Sequence, residues 1–328
     1  MSGSGCLLVF CEPLTENTPA AISFEMIGLG REIADELSVE LAAVAPKDIA
    51  NEVIAHGAGK VFTAEKPADE GYNPEWYVAF LEEVCNRADP VAVLFGHTSL
   101  GQDVAPRLAQ RLGAGLATDA TAVNVEEKKL PVTKQVQGGV GIATYSFNST
   151  PQIVTVRPRV GNVPDRDESG AAEVIEIDVT EDAGKARWEV IDRVIEEGGD
   201  IKLDEAEVVV SGGRGIGGSE EFDMVRELAR EIGAAVGSSR PPCDLGWMPS
   251  SQQVGITGTV ISPQVYFAIG ISGASQHLSG MCDSKTIIAV NKDPDADIFK
   301  VANYGVVGDY RQVLPAIIDT IKENKNFG

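Results

Sequence analysis

The sequence predicts an α/β protein with two doubly wound, mostly parallel sheet domains. Three observations carry this. Short apolar runs alternate with amphipathic stretches through the first half, the pattern of strands with covering helices. A charge-rich segment over 165–204 follows, broken by Gly170, Gly184, Gly198 and Gly199. A second strand–helix series starts after it. The chain has 328 residues, about two domains' length, so the expected domains are 1–200 and 201–328.

The elements follow in order. Residues 5–11 (GCLLVFC) form a continuous apolar run, as expected of a strand buried on both faces. Residues 20–37 form a helix, because Ile22, Met26, Leu29, Ile33 and Leu37 recur at spacings of three and four. Strands at 39–45 and 61–63, a helix at 74–85, a strand at 91–95 (VAVLF) and a helix at 98–112 continue the alternation. From 120 to 156 the texture changes to TAVNV, LPVTKQV, GGVGIATYSF and PQIVTVRP, read as late strands added to the same sheet. In the second half, strands are expected at 206–211, 264–271, 284–291 and 301–307. Helices are expected at 219–232 and 310–322.

Charge excludes several function classes. There are 27 basic and 49 acidic residues, a net of −22, which argues against nucleic acid or an anionic membrane as partner. Residues 1–200 carry 16 basic and 33 acidic residues, a net of −17; residues 201–328 carry 11 and 16, a net of −5. The two halves are expected to do different work. Cys6, Cys11, Cys85, Cys243 and Cys282 form no CxxC pair, so neither a disulfide framework nor a zinc site is indicated. The N-terminal residues lack a basic region followed by a long apolar one. No run of 18 apolar residues exists. A cytoplasmic protein without membrane insertion is expected.

Two segments carry candidate chemistry. Gly213-Arg214-Gly215-Ile216-Gly217-Gly218 satisfies GxGxxG after an expected strand and before an expected helix. Such a turn lets backbone approach a pyrophosphate. No acid stands about 20 residues on to bind a ribose hydroxyl; that place holds Gly237-Ser238-Ser239-Arg240, where the arginine suits an NADP phosphate. An NADP-dependent oxidoreductase using Gly213 to Gly218 and Arg240 is therefore one reading, and a ligand-free glycine turn is another. The second segment is 245–282, where 38 consecutive residues contain no Asp, Glu, Lys or Arg; average composition would give about nine. It is rich in Gly, hydroxyls and amides, with one histidine. That composition suits a desolvated pocket for a large ligand, or a buried central strand with its loops. Within it, Ser272-Gly273-Ala274-Ser275-Gln276-His277 follows a strand and opens a short helix, a place for phosphate. His97 reads as capping or packing beside Thr98 and Ser99. The acid pairs Glu82-Glu83, Glu126-Glu127, Glu196-Glu197 and Glu220-Glu221 read as solvated surface. No catalytic acid–base, nucleophilic or metal constellation stands out.

Five ordered blocks over about 90 residues resemble the FAD-binding domain of the α subunit of electron transfer flavoproteins. They are Val208-Val209-Val210-Ser211-Gly212-Gly213-Arg214-Gly215, Ser239-Arg240, Gln253-Val254-Gly255-Ile256-Thr257-Gly258, Gly270-Ile271-Ser272-Gly273-Ala274-Ser275-Gln276-His277-Leu278-Ser279-Gly280-Met281, and Asp283 to Pro294. The first half resembles the same subunit's first domain through His97-Thr98-Ser99-Leu100-Gly101-Gln102-Asp103-Val104-Ala105-Pro106-Arg107 and Thr155-Val156-Arg157-Pro158. That family includes nitrogen-fixation-associated and electron-bifurcating members.

The resemblance implies a Rossmann-like FAD-binding domain at 201–328 and a heterodimer with a β subunit contacted by 1–200. It implies an electron carrier rather than an enzyme that transforms a substrate. Electrons would pass between a flavin dehydrogenase, such as an acyl-CoA dehydrogenase, and a second redox partner (a quinone oxidoreductase, or ferredoxin or flavodoxin). Arg214 and Ser239 would line the cofactor, Arg240 would lie against the isoalloxazine, and Thr257 would face its N5 edge. Val254, Gly255 and Ile256 would border the ring, with only a backbone role at Ile256, where the family has Gln. His277 would sit near the N1/O2 edge as a second cation. Ser272, Gly273, Ala274, Ser275 and Gln276 would contact the linking phosphates and ring edge, and Asn291 and Asp309 the adenosine side. A simple carrier of this family holds AMP in the β subunit; a bifurcating member holds a second FAD there and takes electrons from NADH.

Overall fold

A computed structural model describes residues 5–15, 17–66, 72–127, 129–137, 141–180, 185, 201–204 and 206–325. The chain divides into two compact units, Met1–Val136 with Gly141–Ile195, and Gln137–Val140 with Glu196–Gly328. The boundary expected at residue 200 falls outside the described residues, as does the Glu196-Glu197 pair.

In the first unit the strands are β1 (Cys6–Phe10), β2 (Pro13–Thr15), β3 (Thr18–Pro19), β4 (Glu40–Pro46), β5 (Lys60–Ala64), β6 (Ala92–Gly96), β7 (Gly115–Ala120), β8 (Ala122–Val123), β9 (Val132–Val136), β10 (Gly141–Tyr145), β11 (Gln152–Val156) and β12 (Glu173–Glu176). Seven of them form a sheet in the order β12-β5-β4-β1-β6-β11-β7, with every pairing parallel. Helices α1 (Ala21–Leu37), α2 (Ala50–Ala55), α3 (Pro74–Ala88) and α4 (Ser99–Leu112) cover it. The period of two in a strand sorts β1 between two cores. Leu7 and Val9 join α1 residues Met26, Ile27 and Ile33, while Leu8 and Phe10 join Trp76, Phe80 and Leu108 of α3 and α4.

Local signals set the helix ends. Asn73 accepts the Trp76 N–H ahead of Pro74 at the start of α3, and Thr98 accepts the Gly101 N–H at 3.0 Å to cap α4. Ser38 and Gly113 close α1 and α4 in the left-handed conformation.

The stretch 120–156 departs from expectation. Only β11 joins the large sheet; β8, β9 and β10 make a separate three-stranded antiparallel sheet. Short runs with turns between them fit antiparallel pairing, which needs no crossover helix. The sequence pattern also does not mark two strands of the large sheet, β7 and β12. β7 lacks a strong apolar run, and β12 is only an adjacent valine and isoleucine flanked by glutamates inside the charge-rich segment.

In the second unit, β13 (Val208–Gly212), β14 (Ala235–Ser238), β15 (Val265–Ile269), β16 (Thr286–Asn291) and β17 (Tyr304–Val307) form a five-stranded sheet ordered β14-β13-β15-β16-β17. All pairings are parallel. Its helices are α5 (Phe222–Ile232), α6 (Arg240–Asp244), α7 (Ser275–Leu278) and α8 (Tyr310–Lys325). Phe222, Val225 and Leu228 of α5 and Leu314 and Ile318 of α8 pack with Val210, Ile269 and Val290 on one face. Val209, Tyr266, Ala268, Ile287 and Ala289 line the other. Two doubly wound parallel sheets are therefore present, as the alternation predicted. No helix among the described residues is long and apolar enough to cross a membrane.

Candidate cofactor site

Open parallel sheets bind ligands outside the carboxyl ends of their strands, where neighbouring connections leave in opposite directions. In the first unit that place lies between β1 and β6. There the Thr98 hydroxyl donates to the buried Glu12 carboxylate at 2.7 Å. Ile22 fills the space over Gly96, where a Cβ would fall 2.5 Å from its Cγ1. A buried carboxylate and an isoleucine do not suit an anionic ligand.

In the second unit the reversal lies between β13 and β15. Every expected site residue lies at or beyond the carboxyl edge of this sheet. Arg214 follows β13, Ser239 and Arg240 follow β14, and Ser272 to His277 follow β15; Asn291 ends β16 and Asp309 follows β17. Residues 253–259 join the same edge through pairing of Gln253 with Ser238 and the Val254 N–H bond to Ser238 O at 2.8 Å.

The loops bond into one rim. Gly215 N–H donates to Gly270 O at 3.0 Å, Ile256 N–H to Gln276 O at 2.9 Å, and Ile298 N–H to Ser272 O at 3.1 Å. Asn291 Nδ2 donates to Ile271 O at 2.8 Å, and its Oδ1 accepts the Asp293 N–H at 3.0 Å. Arg214, Arg240, Ile256, Thr257, Ser272, Ala274, Ser275, Gln276 and Asp309 are exposed on this rim, whereas Ser239, Val254, Gly255, Gly273, His277 and Asn291 are buried in it. Arg240 is 64% exposed and meets Asp244 at 3.1 Å. Asp309 accepts the Arg311 N–H at 2.9 Å.

The glycine motif works differently from a dinucleotide fingerprint. Gly213 N–H donates to Ile269 O at 2.8 Å, so two of its N–H groups serve the end of the neighbouring strand and the residue after it. A Cβ on Gly213 would fall 2.3 Å from Gly270 O. The motif opens a 3-10 turn, Arg214–Ile216, and α5 begins only at Phe222 rather than at the expected residue 219. No helix N-terminus stands at the motif, which removes the geometric basis of the NADP reading. The N–H groups of Val254, Gly255 and Ile256 are likewise bonded within the chain, to Ser238 O, Thr259 O and Gln276 O. These residues frame the site, and the exposed Ile256 side chain faces solvent rather than its backbone donor reaching a ligand.

His277 corrects a second expectation. Its Nδ1 lies 3.0 Å from Val254 O and its Nε2 2.9 Å from the Tyr266 hydroxyl. A carbonyl only accepts, so Nδ1 carries the proton and Nε2 accepts from Tyr266. Burial pushes the imidazole pKa down to about 4, against a smaller upward pull from the Val254 carbonyl. The ring is neutral at pH 7 and fastens the 253–259 loop to α7; Arg214 and Arg240 stand as exposed cations at the rim. Because the folded pKa lies below the unfolded value, stability present above pH 6.5 is lost as pH falls toward 4. The slope is up to about 1.4 kcal/mol per pH unit. Urea denaturation across that range should show a shallower pH dependence in His277→Gln than in the parent protein.

Sequence reasoning missed two residues here. Tyr266 is buried under the site, one strand away from the loop it supports. Gln253 is buried, and its Nε2 donates to Thr257 Oγ1 at 3.0 Å. The signals were that both lie in the uncharged stretch and that Gln253 heads one of the blocks of resemblance.

FAD fits this rim. The N–H groups of Ser272 to Gln276 donate to nothing among the described residues, and the Ser272 and Ser275 hydroxyls stand exposed beside them. Such a run of donors matches a pyrophosphate. His97, bonded to Thr155 Oγ1 at 2.8 Å, and His56, stacked on Phe24, belong to the first unit's packing. The described residues contain no group able to hold a metal ion, and all five cysteines are free thiols.

A donor-rich rim at a strand-order reversal marks a protein that holds a nucleotide cofactor. Comparison with known proteins agrees. The electron transfer flavoprotein domain matches residues 7–182, and the electron transfer flavoprotein FAD-binding domain matches 202–282. Electron transfer flavoprotein subunit alpha of Thermoanaerobacterium thermosaccharolyticum is 39% identical over 310 residues, 93% of this chain and 94% of its own. The Bacillus subtilis protein of the same name is 39% identical over 92% and 93% of the two chains. Protein FixB of Clostridium saccharobutylicum is 37% identical over 92% of each. The chain belongs to the electron transfer flavoprotein α-subunit family, and FAD is its cofactor.

Proposed function

We propose that this chain is the FAD-bearing α subunit of a heterodimeric electron carrier, with its β subunit held by 1–200 and FAD by 201–328. The observation that carries the reading is the continuous rim at the carboxyl edge of β13 to β17, with unspent donors at Ser272 to Gln276. Those donors and the two serine hydroxyls hold the linking phosphates. Arg214 and Ser239 line the cofactor, Asn291 and Asp309 flank its adenosine side, and Val254, Gly255 and Ile256 border the ring. The Thr257 hydroxyl faces the ring's N5 edge. His277 supports the ring's N1/O2 edge as a neutral brace. Bound FAD supplies an isoalloxazine that accepts and returns electrons. The partners are a flavin dehydrogenase, such as an acyl-CoA dehydrogenase, and a second redox protein: a quinone oxidoreductase, or a ferredoxin or flavodoxin.

Arg240 carries the electrostatic part. A guanidinium against the ring favours the electron-rich cofactor, more so where water is excluded. Arg240→Ala should lower the flavin midpoint potential by on the order of 60 mV, a tenfold change in a one-electron equilibrium. His277→Gln should move it much less, because a neutral imidazole is replaced by a neutral amide. The deciding experiment co-produces the chain with its β subunit and measures flavin per heterodimer. One FAD on this subunit is expected; a folded, colourless heterodimer that refuses FAD overturns the reading. A second FAD in the β subunit, with NADH oxidation, identifies a bifurcating carrier, and AMP there a simple one.

A further inference from the structure

We propose that Gln253 is a positioning residue that turns the Thr257 proton outward, toward the ring nitrogen of FAD. The proposal rests on the reading that Thr257 faces that nitrogen.

A threonine hydroxyl has one proton to give and two lone pairs. Left alone on an exposed loop it rotates and offers either. Here the Gln253 amide occupies a lone pair of Thr257 Oγ1 at 3.0 Å, and among the described residues the hydroxyl donates to nothing. Accepting that bond leaves its proton for a partner outside the chain and makes it a better donor.

The glutamine is held through its backbone. Its N–H donates to Ser250 O at 3.1 Å and its C=O accepts the Thr259 N–H at 2.7 Å. Gly258 lies against it, with space for a Cβ only 2.3 Å from Gln253 O. The loop it begins is closed by the Gly258 N–H bond to Gly255 O and by the pairing of Val254 with Thr259. His277 and Gln276 tie the same loop to α7. A buried amide on a fixed loop therefore sets the direction of an exposed hydroxyl. N5 of oxidised flavin accepts hydrogen bonds, so a threonine fixed as donor serves it and one fixed as acceptor does not.

The test uses the heterodimer reconstituted with FAD labelled with nitrogen-15 at N5. The N5 resonance and the midpoint potential are read in Gln253→Leu, Gln253→Glu, Thr257→Val, Thr257→Ser and the Leu/Val double variant. Thr257→Val should move the resonance toward that of flavin without a hydrogen bond and lower the potential. Gln253→Glu, whose carboxylate accepts the threonine proton, should match it; this variant also keeps size and polarity, so folding is preserved. Gln253→Leu should give at least half that displacement, and the double variant no more than Thr257→Val alone. Thr257→Ser should hold the parent values. If Thr257→Val moves both readouts while both Gln253 variants leave them unchanged, the proposal fails and the Thr257 reading stands. If Thr257→Val moves neither, both fail.

Discussion

Gly213→Val should abolish FAD binding, with at least a hundredfold loss of affinity, and should destabilise the protein even without cofactor. Gly213 has φ −103 and ψ −176, an extended conformation open to any residue. Its requirement for glycine is steric. A Cβ would stand 2.3 Å from Gly270 O and 2.8 Å from the Ile271 Cα. Gly270 cannot retreat cheaply: it is left-handed at φ +62 and its N–H is bonded to Val290 O. Overpacking of this kind costs on the order of 3 kcal/mol, and the displaced loop is the one that carries Ser272 to Gln276. Flavin fluorescence titration reads the affinity, and urea denaturation of the apo protein reads the stability. The second readout separates two roles. A glycine needed only for ligand approach would leave apo stability unchanged, and that result would contradict the packing role argued from Gly270.

Arg157→Met should cost about 3–5 kcal/mol, the usual consequence of removing one partner of a buried ion pair. The Arg157 side chain is 5% exposed and that of Asp119 23%. The guanidinium bonds both carboxylate oxygens, Nε to Oδ1 at 2.8 Å and Nη2 to Oδ2 at 2.7 Å. Asp119 is further held by its N–H bond to Thr155 Oγ1 at 3.0 Å, and is itself left-handed at φ +61. Asp119→Asn tolerates that conformation and removes the charge, so the double variant should recover most of the loss. The nearby His97 supplies a second readout. Burial lowers its pKa, Asp119 opposes this, and Arg157 reinforces it. Arg157→Met should therefore raise the His97 pKa, read by NMR of its ring protons. A loss below about 1 kcal/mol with an unmoved His97 titration would remove the ion pair from the account of stability.

Much of the fold was legible because burial leaves a local periodic mark. The continuous apolar run around Leu7 to Phe10 and the spaced Ile22, Met26 and Ile33 each state their own environment. The antiparallel sheet of β8, β9 and β10 was not legible, since a short alternating run fits a meander or a sheet edge equally. The candidate site was legible as a set of segments. The uncharged stretch and the serine loop after β15 both lie on the rim.

The sequence by itself determined the two rounds of strand–helix alternation, the family, and the loops that meet at the rim. Only the tertiary structure decided which groups on those loops are still available. It gave the N–H groups of Gly213 and Gly215 to the end of β15 and the residue after it, made His277 a neutral brace between Val254 and Tyr266, and set Gln253 behind Thr257. Periodicity belongs to one segment, whereas a hydrogen bond needs two. Whether a donor is spent depends on which strands become neighbours, and β13 meets β15 only because the intervening strand β14 lies on β13's other side.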